Sequence, residues 1–283
     1  MSLDFIPTVW AGRLLTALQK SLVYGQAGVC NRDYEGEIAA AGNTVKINSI
    51  GDVTVNNYTK DADIAAPEVL SDTDQSLVID QQKYFNFYVD SVDRAQQNVN
   101  VLDEAMRRAG WQLRDIADSF LAGVMQVAVT SDNTIGTSLS PEVPTKDDAY
   151  DYLVDLSVML DEANVPIDGR FIVVPAWFHG LLLRDERFIT SGTAAGDAVR
   201  RNAEVGEAAG FSILKSNNVP NTAGAKYCIL AGHAIATTYV EQILDVQTYQ
   251  PEKRFGDAVK GLHVYGARVV RPTALAMLIA SKS

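Results

Sequence analysis

The chain has 283 residues, 47% of them hydrophobic and 21% charged, with a net charge of -11 at neutral pH. That length suits one large domain or two ordinary ones and allows a substantial core. The acidic balance excludes a general nucleic-acid binder, because phosphate repels it, but not a protein that stays near nucleic acid without adhering. Two cysteines, Cys30 and Cys228, are too sparse for a disulfide framework and read as small buried packing residues in a reducing compartment. No basic region followed by an apolar core opens the chain, so no signal peptide is expected. No apolar run approaches the ~18 residues a membrane span needs.

In chain order, residues 5–24 come first. Trp10, Leu14, Leu15, Leu18 and Leu22 follow Pro7 at helical spacing and give one apolar face. Such a helix near a chain end predicts an arm that docks on its own domain or on a neighbouring subunit. The stretch NRDYEGEIAAAGNTVKI follows, with Asp33, Glu35 and Glu37 two residues apart. Three acids on one strand face suggest a metal grip, but no histidine or fourth ligand is near, and a wet strand face is the better reading. Gly42, Thr44 and Lys46 suggest a phosphate loop, yet they lead into a strand and not a helix N-terminus.

Residues 34–90 read as extended. Val45 and Ile47 alternate with polar residues, a turn falls at Gly51 and Asp52, and Val53 and Val55 alternate again. Residues 61–80 carry Asp61, Asp63, Glu68, Asp72, Asp74 and Asp80 and no base. An acidic stretch with so few large apolar groups cannot bury much by itself. Asp61, Asp63 and Asp72 mimic a calcium loop, but Ala65 and Ala66 stand where a ligand and the turn glycine belong. Residues 77–89, with Tyr84, Phe85, Phe87 and Tyr88, predict a third strand. Together these segments predict a long polar hairpin on an apolar root, marginal alone and lying on something else.

Residues 98–129 give the strongest helical pattern. Leu102, Met106, Ala109, Leu113, Ile116, Phe120 and Val124 step by three and four, while Arg107, Arg108, Arg114, Asp115 and Asp118 fill the other face. At 1.5 Å per residue the helix runs on the order of 40 Å, long enough to be a spine. A polar linker, residues 130–145, ends in Thr145 and Asp148, which resemble a capping box with Asp in place of Glu. Ala149, Leu153, Leu156, Leu160 and Ala163 predict the next helix face. Residues 170–174 predict a buried strand, Pro175 starts a helix over 177–188, and the alternation marks a mixed α/β region. Strands are predicted over 211–214, 227–231, 235–240 and 264–270, with a last apolar run over 274–280.

Catalytic constellations are missing from the sequence. His179, His233 and His263 share no motif spacing and read as packed or surface residues. No CxxC, GxSxG, GxxxxGK[ST] or GxGxxG after a strand occurs. The expectation is therefore no catalytic residue, no metal and no cofactor.

The order of parts carries a resemblance. FIPTVWAGRLLTAL resembles the arm that opens many major capsid proteins of tailed bacteriophages, which have the Hong Kong 97-type fold. DYEGEIAAAGNTVKINSIGDVTVNNYT resembles their entry into the E-loop. RFIVVPAWFHGLLLRDERF and GFSILKSNNVP resemble A-domain units, and RFGDAVKGLHVYGARVVRPTALAMLIAS resembles the C-terminal return into the P-domain. The resemblance spans nearly the whole chain and implies an α+β Hong Kong 97-like capsid fold. Its parts would be an N-terminal arm (1–33), the E-loop and a P-domain strand (34–90), the P-domain spine helix and linker (91–145), the A-domain (146–250) and its end with the return strand (251–283).

It further implies a structural protein and not an enzyme. Such proteins assemble through hexamers and pentamers into an icosahedral shell that encloses double-stranded DNA without specific binding. The implied partners are portal, scaffolding and decoration proteins, and the implied place is the virion, assembled in the bacterial host cytoplasm, with no membrane. About thirty residues precede the hairpin, so scaffolding is expected as a separate protein or already removed. Candidate subunit-contact residues are Trp10 and Leu14 in the arm and Lys60, Asp61 and Asp63 in the hairpin. Lys60 resembles the lysine of the Lys–Asn crosslink some members form, but no asparagine or glutamate matches by motif. The alternatives are an encapsulin-like shell enclosing an enzyme cargo and, in another class, an α/β enzyme with His179 as its best candidate residue.

Overall fold

Strands at the hairpin root form where the alternation predicts them. The structure, a computed structural model, describes residues 23–33, 44–50, 57, 60, 63, 66, 72–90, 101–189, 206–253 and 256–282. Strand β1 (Thr44–Ile50) pairs antiparallel with β2 (Asp72–Val78), from Thr44 opposite Val78 to Ile50 opposite Asp72. Asp72 and Asp74, which read as part of the acidic loop, thus belong to a strand. The expected single run 77–89 is split: β2 ends at Val78, and β3 (Gln81–Asp90) pairs in a different sheet. Ile47, Leu77 and Ile79 are buried together with Val240 and Val264, so the root is apolar as expected. The second alternation, at Val53 and Val55, and the arm helix lie outside the described residues.

Helix α1 (Val101–Ala128) has 28 residues and extends about 42 Å. Its buried side carries Met106, Leu113, Ala117, Leu121, Ala122 and Met125. The sequence stripe is right at Met106 and Leu113 and then drifts. Ile116 is 42% exposed, and Phe120 and Val124 are only partly buried. Asp118, assigned to the polar face, is buried.

The polar linker is pinned to the sheet. It contains β4 (Thr134–Ile135), parallel to the last strand. The Asn133 side chain donates to the Thr273 and Leu275 carbonyls at 3.1 and 3.0 Å, and Glu142 N–H donates to Ile279 O at 2.9 Å. Gly136, at φ +77°, passes so close to Ile279 O that a Cβ would clash. Helix α2 (Ala149–Glu162) buries Ala149, Leu153, Leu156 and Leu160, the face the spacing predicts. The reciprocal capping box does not form. The Thr145 hydroxyl donates to the Asp148 carboxylate, and Ala149 N–H donates to Thr145 O at 3.1 Å.

Strand β5 (Arg170–Val174) is buried at every position, and Pro175 caps the next helix. The helix expected over 177–188 is two short ones, α3 (Ala176–Leu182) and α4 (Glu186–Ile189). The first ends at Leu182, and Asp185 precedes the second: its buried carboxylate accepts the Arg187 N–H at 2.9 Å. Strands β6 (Glu207–Ala208), β7 (Phe211–Lys215), β8 (Asn221–Thr222) and β9 (Lys226–His233) follow. The strand expected from residue 235 starts later, because residues 234–236 form a single 3-10 turn before β10 (Thr237–Tyr249). Strand β11 (Gly256–Val269) starts well before residue 264, and β12 (Leu275–Ser281) ends the described chain.

These strands make two further sheets. One runs β10-β11-β3, and the other β4-β12-β9-β5-β7-β6 with β8 on β9. The principal core joins Leu121 and Met125 of α1, Leu153 and Leu156 of α2, β5, β9 and β12. Cys30 and Cys228 are both free and buried in it, as the sequence predicts.

Candidate functional site

The first described segment, residues 23–33, meets α1 and the β10-β11 pair. It builds a buried polar cluster there that nothing in the sequence announces. Glu241 on β10 stands opposite Tyr265 on β11. Period-two alternation puts Tyr239, Glu241, His263 and Tyr265 on one face. The Glu241 carboxylate accepts from the Tyr239 hydroxyl at 2.8 Å and pairs with the Arg32 guanidinium. His263 Nε2 lies 3.4 Å from Glu241 Oε2, outside good hydrogen-bond alignment. Arg32 also covers the Tyr239 ring at 5.5 Å and donates to Gly25 O at 2.9 Å. Burial drives the Glu241 carboxyl upward, but contacts from His263, Arg32 and Tyr239 outweigh it and hold the group below its ordinary range.

Other predicted residues stay apart. Asp33 N–H donates to the Asn31 side chain at 2.8 Å, while Glu35 and Glu37 lie outside the described residues. His179 is buried on α3, where burial and then Lys215 lower its pKa. His233 sits at a strand end, its Nε2 2.8 Å from Asp168 O, and accepts Ile235 N–H. Among the described residues no group of three histidine, cysteine or acidic side chains is placed to hold a metal. Of the candidate contact residues, Lys60 and Asp63 are exposed. Trp10, Leu14 and Asp61 lie outside the described residues.

What the geometry offers is surface. A groove of about 410 Å³ runs between β3 and α1, lined by Lys83, Tyr84, Phe85, Arg108, Gln112 and Ile116. Tyr84 on its rim is 78% exposed. Val154 and Val158, one turn apart on the outer side of α2, are also exposed, as are Ile167 and Leu139. Scattered apolar exposure is ordinary, but paired residues on one helix face suit contact with another molecule.

Residues 71–278 match the sequence profile of the family described as phage capsid protein. The chain belongs to that family. A chain of the Mycobacterium phage Che8 structure is 33% identical, with 91% of each chain covered and a TM-score of 0.74. The capsid of cyanophage P-SCSP1u matches at 17% identity, 93% of this chain and 89% of that chain, with a TM-score of 0.73. A virus-like particle from Pyrococcus furiosus matches at 14% identity, 97% and 99% coverage and a TM-score of 0.57. The last two show the fold alone. No curated protein matches the chain.

The capsid protein thus has the α+β Hong Kong 97-like fold that the order of its parts implied. It is a structural phage capsid protein. The encapsulin-like alternative is not favoured, because the family match and the 33% identical chain both point to phages.

Proposed function

We propose that the chain is a major capsid protein that assembles through hexamers and pentamers into an icosahedral shell around double-stranded phage DNA. The family match over residues 71–278 carries this reading. In it, residues 1–33 are the arm, 34–90 the E-loop and a P-domain strand, 91–145 the spine helix and linker, 146–250 the A-domain, and 251–283 its end and the return strand. The protein performs no catalysis. Work is spread over repeated contacts between copies, with Trp10, Leu14, Lys60, Asp61 and Asp63 among the contact residues. The net charge of -11 suits an enclosure that holds duplex DNA without adhering to it. Portal, scaffolding and decoration proteins complete the particle, which forms in the host cytoplasm.

Electron microscopy of the expressed full chain, alone and with its phage's scaffolding protein, tests the reading. Closed shells or rings of five and six subunits are the expected result. A chain that stays monomeric under both conditions would overturn it.

A further inference from the structure

One side of α1 changes its surroundings along the helix. Trp111, Arg114, Asp118, Ala122 and Met125 step by three and four and so lie on that one side. From Asp118 onward the side is inside the protein: Asp118 is 2% exposed, and Ala122 and Met125 are fully buried in the principal core. Two turns earlier on the same side, Trp111 is 51% exposed. The Arg114 guanidinium lies over its ring at 5.5 Å. Asp115 borders this face and accepts from the Asn218 side chain at 2.9 Å, so the loop before β8 fixes one flank. A large aromatic ring thus stands half bare where a core-facing stripe leaves the core.

The last cover on that stripe is the start of the described chain. Asp118 Oδ2 accepts the Val23 N–H at 2.9 Å, and Oδ1 accepts the Val23 and Tyr24 N–H groups at 3.2 Å each. Behind them Tyr24, Val29 and Cys30 are buried in the principal core. Asn31 then joins β10: its N–H donates to Thr237 O at 2.8 Å, and its carbonyl accepts the Tyr239 N–H at 3.0 Å. Val23 is therefore pinned, and residues 1–22 leave from the inner end of the stripe whose outer end is Trp111. Within them Leu15, Leu18 and Leu22 step by three and four, as Trp111, Arg114 and Asp118 do. Arg13 and Lys20 fall on the opposite side of the same helical period, away from Arg114. A helix from Leu15 to Leu22 advances about 10.5 Å, the same as α1 from Trp111 to Asp118. The groove beside β3 is a different place, because Arg108, Gln112 and Ile116 line it from another side of α1 than Asp118.

We propose that residues 15–22 dock on the α1 of their own chain, parallel to it, with Leu15 and Leu18 over the Trp111 ring and Leu22 next to Arg114. Val23 delivers this segment to the face, so its effective concentration there exceeds that of any arm arriving from another molecule. The leucines extend the cover that Val23 and Tyr24 begin and exclude water from the ring. Residues 1–14 continue past the face, which leaves Trp10 and Leu14 for contacts between copies. The docking is a property of the single subunit and stands apart from the assembly reading.

Hydroxyl-radical footprinting of the full, unassembled chain, read residue by residue by mass spectrometry, tests the proposal. Tyr84, 78% exposed, serves as the reference in the same molecule. After correction for intrinsic reactivity, Trp111 should be oxidised severalfold more slowly than Tyr84, at a rate independent of protein concentration. Leu15→Ser combined with Leu18→Ser should raise the Trp111 rate severalfold and leave that of Tyr84 unchanged. A wild-type Trp111 as reactive as Tyr84, or one unaffected by the serine substitutions, would overturn the docking. Protection that appears only as copies associate would also overturn it and assign the cover to a neighbour. Should the serine variant not fold, the wild-type rate and its concentration dependence alone decide.

Discussion

His263 and Glu241 approach to 3.4 Å across β10 and β11, with side chains only 1% and 3% exposed. Arg32 completes the charge on Glu241 from a segment more than two hundred residues away in sequence. Breaking a buried pair from one side strands the other charge. Glu241→Gln is therefore expected to destabilise the unassembled subunit by about 3 kcal/mol in urea unfolding near neutral pH. The pH dependence has a definite sign. The folded-state pKa of Glu241 lies below its ordinary 4.5, so its contribution is present above that value and is lost as pH falls through the depressed one. The wild-type and Glu241→Gln stabilities should converge on the acid side. A constant gap there would assign the loss to packing.

The phase of α1 gives a second expectation. Leu121 is fully buried in the principal core and Ile116 is 42% exposed, although both fit an apolar spacing. Leu121→Ala should cost about 2–5 kcal/mol, and Ile116→Ala should fall within about 0.5 kcal/mol of wild type. Phe120 meets Tyr265 edge to face at 5.4 Å, so Phe120→Asp should prevent folding. Thermal melts of the three variants check the order. Equal losses at 116 and 121 would mean the buried face is misplaced.

The same helix shows what the sequence can carry. Its length and existence were legible because 28 residues repeat one pattern. Its phase was not, because Ala117 and Gly110 lie against the core and small residues weigh little in a hydrophobic count. Asp118 reads as a surface residue until Val23 and Tyr24 arrive from elsewhere in the fold. Residues 77–89 read as one strand, and only the pairing partners reveal that the run is shared between two sheets. For α2 and β5 local pattern and tertiary environment agree, and the reading succeeds at each buried position. The cluster around Glu241 needed β10 and β11 to be paired before any of its members made sense.

Gly261 tests the sheet that carries that cluster. It stands opposite Phe85 of β3, and a Cβ there would run into the Phe85 ring. Phe85 in turn stacks with Phe87 at 6.0 Å and packs against the small core of Met106, Leu113, Val246 and Val259. Gly261→Ala is expected to displace the ring and cost about 1–3 kcal/mol, with altered aromatic signals in near-ultraviolet circular dichroism. An unchanged spectrum and melt would show that Phe85 has room to move.

Deleting the hairpin tip would test folding and assembly separately. Residues 59–70 overlap the acid-rich stretch before β2 and include few large apolar residues in sequence, while the buried root at Ile47, Leu77 and Ile79 lies outside them. Removing them should therefore leave the core intact and the melting temperature within a few degrees of wild type. If the hairpin lies on a neighbouring subunit, the shortened chain should fold yet fail to form shells by electron microscopy. Normal shells from the deletion would end the idea that the tip makes an assembly contact. Lys60→Ala and Asp63→Ala divide the remaining case: both residues are exposed, so neither change should move the melt by more than about 0.5 kcal/mol, and a loss of particle yield would then report on the contact alone.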